Sequence, residues 1–147
     1  ITAQGEWFHE GVRMTRQSLV DLFATVLWRE EDRYFLKTPV EKIGIIVEDV
    51  PLLAIDVEQV EQDGMMYLQL TTKTGDVVLA DADHPIQMRE YLGEMRPYIR
   101  VRRNLEALIH RNVFYHLVNM GELVESEHGT SVRLQSGDQV FELGAIV

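Results

Sequence analysis

The sequence predicts an α+β protein built from duplicated helix-plus-antiparallel-hairpin units that share a core. Two observations carry this expectation. The segment Arg16–Phe23 recurs as Arg111–Val118, 95 residues later. Arg16 answers Arg111, Leu22 answers Leu117, and Leu19, Val20 and Phe23 answer Phe114, Tyr115 and Val118. The strand pair behind it recurs at a shift of 98 to 100, Tyr34-Phe35-Leu36 and Ile43–Val47 against Val132-Arg133-Leu134 and Leu143–Val147. So long a period does not belong to a solenoid, so 7–47 and 102–147 read as two copies of one unit. Leu19, Leu22 and Phe23 are then expected in the core, like Phe114, Leu117 and Val118. An interface between two such copies is a place where ligands collect.

The elements follow in order. Trp7–Met14 reads as a short strand pair turning at Glu10-Gly11. Thr15 offers an N-cap, and Leu19, Leu22, Phe23, Val26 and Leu27 fall on one helical face that ends in the charged run Arg29–Arg33. Tyr34–Lys37 and Lys42–Val47 read as strands joined through Thr38-Pro39, where proline fixes the turn. Leu53, Ile55 and Val57 alternate with Ala54, Asp56 and Glu58 as in a half-buried strand. Turn signals at Asp63-Gly64 and Gly75-Asp76 make residues 53–80 a three-stranded meander. His84-Pro85 and Gly93…Pro97 bracket a looser segment.

Tyr98–Arg102 alternates again, with Ile99 and Val101 pointing inward and Arg100 and Arg102 outward. Asn104–Ile109 fits helix and strand equally well by spacing, and Leu105–His110 reads as the strand. The repeat decides for strand, because a helix there would leave about a dozen unmatched residues before the hairpin. Asn112–Met120 is then the second helix, stopping near Gly121. The best division lies at the Gln59–Gly64 turn, giving an N-terminal lobe 1–60 and a C-terminal lobe 61–147 welded through the meander.

Composition excludes several classes. An apolar fraction of 46% with 26% charged residues fits a soluble globular chain, and no apolar run is long enough to span a bilayer. There is no cysteine, hence no disulfide, thiolate ligand or cysteine nucleophile. With no signal-like segment either, the expected compartment is the cytoplasm. A net charge of −10 argues against general nucleic-acid binding. The charge is uneven, however. Five of the fourteen basic residues (Arg96, Arg100, Arg102, Arg103 and Arg111) lie within sixteen positions that hold one acid, Glu106. Such a positive island on an acidic chain is its main electrostatic feature.

Arg100 and Arg102 on one strand face, with Arg111 at the next helix's start, would suit a phosphate or carboxylate. The competing reading is a solvated face whose arginines pair with nearby carboxylates. Thr38, Glu41 and Lys42 place a hydroxyl, an acid and a base at a rigid turn, as a polar-ligand site or an ordinary surface ion pair would. Ser136-Gly137-Asp138 occupies the matching turn of the second copy. Tyr115 beside Phe114 could stack on a base or complete the core. Asp81, Asp83 and His84 read as turn chemistry before proline, and His9, His110, His116 and His128 have no spacing that makes a metal site. No metal or cofactor is expected. The chain has no Gly-x-Gly-x-x-Gly, Gly-Lys-Ser/Thr, Gly-x-Ser-x-Gly or His-Glu-x-x-His motif. A hydrolase using Glu41 or Glu106 would lack a nucleophile or metal, so the sequence favours a non-enzymatic role.

The blocks Asp32–Lys42 (DRYFLKTPVEK) and Leu105–Val118 (LEALIHRNVFYHLV), with Ser136-Gly137 and Phe141–Gly144, resemble the bacterial family catalogued as domain of unknown function 1285. His110 and Asn112 stand where that family often has asparagine and proline. The resemblance implies a duplicated two-lobed α+β protein whose second half is loosely pleckstrin-homology-like. A pleckstrin-type domain ends in its capping helix, whereas this chain adds a hairpin after Met120. The resemblance also implies a pocket between lobes for a nucleotide-like molecule, and a part in signal transduction alongside a signalling protein. Carried onto this chain, the pocket would draw on Thr38, Glu41, Lys42, Arg100, Arg102, Glu106, Arg111 and Tyr115. The expected function is thus small-anion or nucleotide-like ligand sensing between the lobes. The alternative is an interaction module that docks an acidic partner through the arginine strand.

Overall fold

Asp63-Gly64 and Leu92-Gly93 each place two consecutive residues at positive φ (53° and 81°, 49° and 84°), the geometry of a tight two-residue hairpin turn. These turns fold the central chain back on itself. In the computed structural model, which describes residues 1–127 and 129–146, they organise a six-stranded sheet. Its strands are β6 (Leu52–Gln62), β7 (Met65–Thr72), β8 (Val77–Leu79), β9 (Ile86–Tyr91), β10 (Glu94–Arg102) and β11 (Leu105–Ile109). Their spatial order is β8-β7-β6-β11-β10-β9, antiparallel except for the parallel β6–β11 pair at the centre. The expected meander over 53–80 is present. The segment read as loose is instead the β9–β10 hairpin.

Ahead of this sheet come a small hairpin, β1 (Phe8–His9) with β2 (Val12–Arg13), and helix α1 (Gln17–Ala24). An antiparallel sheet follows, made of β3 (Leu27–Glu30), β4 (Arg33–Lys37) and β5 (Lys42–Ile45). After the large sheet come α2 (Arg111–Met120) and a second three-stranded sheet of β12 (Glu122–Ser126), β13 (Gly129–Ser136) and β14 (Gln139–Ile146). The molecule is therefore strand-dominated α+β with two helices. Each half carries a helix followed by a three-stranded meander. Val147, the expected end of the second copy, and His128 lie outside the described residues.

Cross-strand pairing separates the two faces of the large sheet. Ala54, Ile99, Val101, Leu105, Ala107 and Ile109 belong to the main core, joined by Val113 and Leu117 of α2 and by Val132, Leu134, Phe141 and Leu143 of the last sheet. That last sheet lies across the large one, with β13 against β7 and β14 against β9. Tyr98 and Leu108, paired across β10 and β11, form a second buried cluster with Val50, packed by Leu53. The N-terminal 50 residues cover this part of the sheet.

Three expectations change. α1 ends at Ala24, not in the Arg29–Arg33 run, because Val26 O accepts from Lys37 N (2.8 Å) and Leu27–Glu30 pairs with β4. Its buried residues are Val20 and Ala24; Phe23 is half-buried, and Leu19 and Leu22 are exposed at 37% and 61%. The helical stripe inferred from spacing borrowed Val26 and Leu27 from outside the helix, which rotated the predicted face. The alternation Leu53-Ile55-Val57 also fails. A bulge between Ala54 and Asp56 breaks the register, so Leu52, Ala54 and Val57 are buried while Ile55 is exposed. A division at residue 60 would cut β6, which belongs wholly to the large sheet.

Candidate functional site

At Ile109, β11 leaves the sheet. His110 N donates to Ala54 O (2.9 Å), and the chain then turns into α2, whose first turn the His110 ring caps by accepting from Asn112 N (3.1 Å). The β9–β10 hairpin does not stop there. β10 pairs with β11 only over Tyr98–Arg102, so its residues Glu94–Pro97 keep a neighbour on the β9 side alone. Arg100 N donates to Pro85 O on the β9 side (3.3 Å), so the even-numbered residues of β10 bond toward β9. Met95 and Pro97 therefore present their backbone to the vacated side. Proline there has no N–H to offer, which blunts the edge against an added strand.

The vacated space is a groove of about 460 Å³ between this edge and α2. Met88, Met95, Leu108, Phe114 and Tyr115 supply apolar lining; Arg96, His110 and Arg111 supply nitrogen donors, and Glu94 an acid. Gln4 reaches it from the N-terminal segment, so both halves of the chain contribute. The volume and mixed lining suit a small molecule. Arg111 is exposed, and among the described residues its side chain has no ion pair or hydrogen bond.

Of the eight residues expected to share a site, the structure brings Arg111 and Tyr115 together here. The other six lie elsewhere. Thr38 and Glu41 close the exposed β4–β5 turn on each other, Thr38 N donating to Glu41 O (2.7 Å). Lys42 pairs with Glu30 (3.1 Å) and sits over the Phe35 ring. Arg100 is exposed opposite Glu106. The register shifts between Arg100 and Arg102, and Arg102 runs to the end of α1, donating to Asp76 Oδ1 (2.9 Å) and Ala24 O (2.6 Å). Burial works against the Asp76 carboxylate, but hydrogen bonds from Arg102, Thr72 and Thr74 outweigh it and hold its pKa below the usual value. The arginine strand is thus split, Arg102 being bound to Asp76 and Ala24 while the exposed Arg100 makes no side-chain hydrogen bond or ion pair among the described residues. Asp81 is likewise committed to its turn, Oδ1 accepting from the backbone N–H groups of Asp83 and His84.

Glu106 belongs to a charged seam between the halves. It accepts from both terminal nitrogens of Arg89 (3.0 and 3.3 Å) and lies 3.6 Å from Arg29. The Arg89 guanidinium stacks 4.1 Å over the Tyr98 ring. Tyr98 donates to Asp49 Oδ2 (2.6 Å), which also accepts from Arg96 (2.8 Å), and Arg96 donates in turn to Ala3 O (2.9 Å). Burial, reinforced by the Asp49 carboxylate, raises the Tyr98 phenol well above its ordinary pKa. Nothing local in the sequence pointed to Asp49 or Gln4, and Arg96 stood out only as one arginine of the positive island, because the three meet only when the N-terminal segment crosses the sheet.

A strand-dominated α+β chain with two helix-plus-meander halves and a groove at their junction is the class that these features define. The chain belongs to the DUF1285 family. The "Domain of unknown function (DUF1285), N-terminal domain" matches residues 1–50, and the "Protein of unknown function (DUF1285), C-terminal domain" matches residues 51–143. A DUF1285 family protein from Silicibacter pomeroyi DSS-3 is similar in structure, with a TM-score of 0.86 and 41% identity over 99% of this chain and 79% of that one. Another from Shewanella baltica OS155 gives 0.64 and 33% over 81% and 88%. No curated protein matches the sequence.

Proposed function

We propose that the protein binds a small anionic, nucleotide-like ligand in the groove between the β10 edge and α2, and acts as a non-enzymatic sensor in cytoplasmic signalling. The observation that carries this reading is the Arg111 guanidinium, unpaired among the described residues, on a groove that also offers Tyr115 and Phe114 as apolar and stacking surface. A flat ring fits the aromatic and methionine lining, and an anionic group fits Arg111. Duplication of an ancestral helix-plus-meander unit accounts for the matching element order of the halves. The pleckstrin-homology analogy is confined to the second half and is loose there, because a meander follows the helix where a pleckstrin-type domain would end.

Thermal shift with a panel of nucleoside mono- and diphosphates tests the proposal. Melting should rise with ligand concentration. Arg111→Ala should abolish the rise, and Arg111→Lys should restore little of it, since an ammonium cannot reproduce a bidentate fork. A panel that gives no shift, or an Arg111→Ala variant that binds like the parent, overturns it. The second reading, docking of an acidic partner segment through the arginine strand, draws on exposed Arg100 and on exposed Leu92 and Met95 of the same hairpin. Pro97 on the open edge weighs against the strand-addition form of that docking.

A further inference from the structure

We infer that Arg96 contacts the ligand of this groove, and that Asp49 and Tyr98 act through it as positioning residues, so that filling the groove and closing the seam between the halves reinforce each other. The inference rests on the anion-site reading above. Arg96 is shared between two structures. It lines the groove, and its terminal nitrogens are bound to Asp49 Oδ2 (2.8 Å) and Ala3 O (2.9 Å), both in the N-terminal 50 residues. A guanidinium carries five N–H donors. These two bonds leave donors over, in a plane that cannot turn without abandoning a carboxylate whose side chain is 8% exposed. Tyr98 donates to that same oxygen (2.6 Å) and fixes Asp49 from the sheet. The remaining Arg96 donors are therefore held in one direction before any ligand arrives, which lowers the ordering cost of binding. Gln4 follows Ala3 directly, so a ligand touching Gln4, Arg96 and Arg111 spans both halves. Binding free energy and seam free energy are then linked, and linkage is reciprocal.

Asp49→Asn separates this inference from simple electrostatics. Removing a negative charge beside an anion site should tighten binding if only charge counts. If Asp49 positions Arg96, binding should weaken despite the gain in positive charge. With pyrophosphate and adenosine 5′-monophosphate as probes in isothermal titration, Asp49→Asn should lose about tenfold or more in affinity. Tyr98→Phe changes no charge, keeps the ring under Arg89, and should lose a smaller factor. In the wild type, either probe should slow hydrogen exchange at residues 2–6 and 48–50, the two segments held by Arg96 and Asp49. Wild-type affinity or better in both variants, or unchanged exchange at those segments with probe bound, overturns the coupling and leaves the groove reading standing. Failure of both probes to bind the wild type removes the groove reading and this inference with it.

Discussion

Leu22 and Leu117 align at the 95-residue shift in the sequence, yet Leu22 is 61% exposed and Leu117 fully buried. Leu117→Ala should cost about 2–5 kcal/mol, as for a core leucine, whereas Leu22→Ala should cost about 0.5 kcal/mol or less. Denaturant unfolding of the two variants checks this, and equal losses would contradict the assigned helix faces. Asp76 gives a pH-dependent counterpart. Because its folded pKa is depressed, its contribution is fully present above the ordinary carboxylate value and is lost as pH falls through the folded one. Asp76→Asn should cost about 1–3 kcal/mol near neutrality by weakening the bonds from Arg102, Thr72 and Thr74. The melting gap to wild type should narrow below about pH 4. A gap that stays constant from neutral to acid pH would assign the loss to packing rather than to ionisation.

At the scale of elements, legibility in the sequence depended on whether the deciding interaction was local. Glu10-Gly11 and Asp63-Gly64 announced their hairpins because a turn's backbone conformation is chosen by the turn residues themselves. The β11-to-α2 junction was legible too, since the repeat ruled out a longer helix. The end of α1 was not. Its apolar spacing continues through Leu27, and the pairing of Leu27–Glu30 with Leu36–Arg33 overrides it. The β9–β10 hairpin was hidden by Pro97, which reads as a breaker and is tolerated because that part of β10 lacks a second neighbour. Within the site, Arg111 could be picked out as a helix-start residue and Tyr115 as an aromatic beside Phe114, whereas Arg96 sat beside Pro97 in a segment read as loose. Ser136 shows how non-local such features can be. Fully buried, it donates to Ala80 O (2.6 Å) and accepts from Leu68 N (2.9 Å), stapling the last sheet to β7. Ser136→Ala should cost about 1–3 kcal/mol by stranding both backbone groups. Amide exchange should show the loss at Leu68, and an unaltered Leu68 amide would mean that water replaces the hydroxyl.

For the whole molecule, the question is whether the halves matched by the two family models can exist apart. The seam argues that they cannot. Residues 51–147 alone would uncover Tyr98 and Leu108, which Val50 helps to bury, and would leave Arg96 without Asp49 and Ala3. They would also leave Glu106 without Arg29. An exposed apolar patch beside unpaired charges on one sheet face is an association hazard, and the chain has no disulfide to compensate. A 51–147 fragment should therefore melt without a cooperative transition or self-associate, as judged by circular dichroism and light scattering. Adding a 1–50 fragment should restore a cooperative transition, because the same contacts can re-form between chains. The single substitution Arg29→Ala in the 1–50 piece should weaken that reassembly while leaving the 51–147 fragment itself untouched, since Glu106 keeps Arg89 within its own piece. A 51–147 fragment that folds cooperatively and stays monomeric would show that the C-terminal half stands alone. The N-terminal half would then be an attachment to it, and the charged seam a docking surface rather than part of one fold.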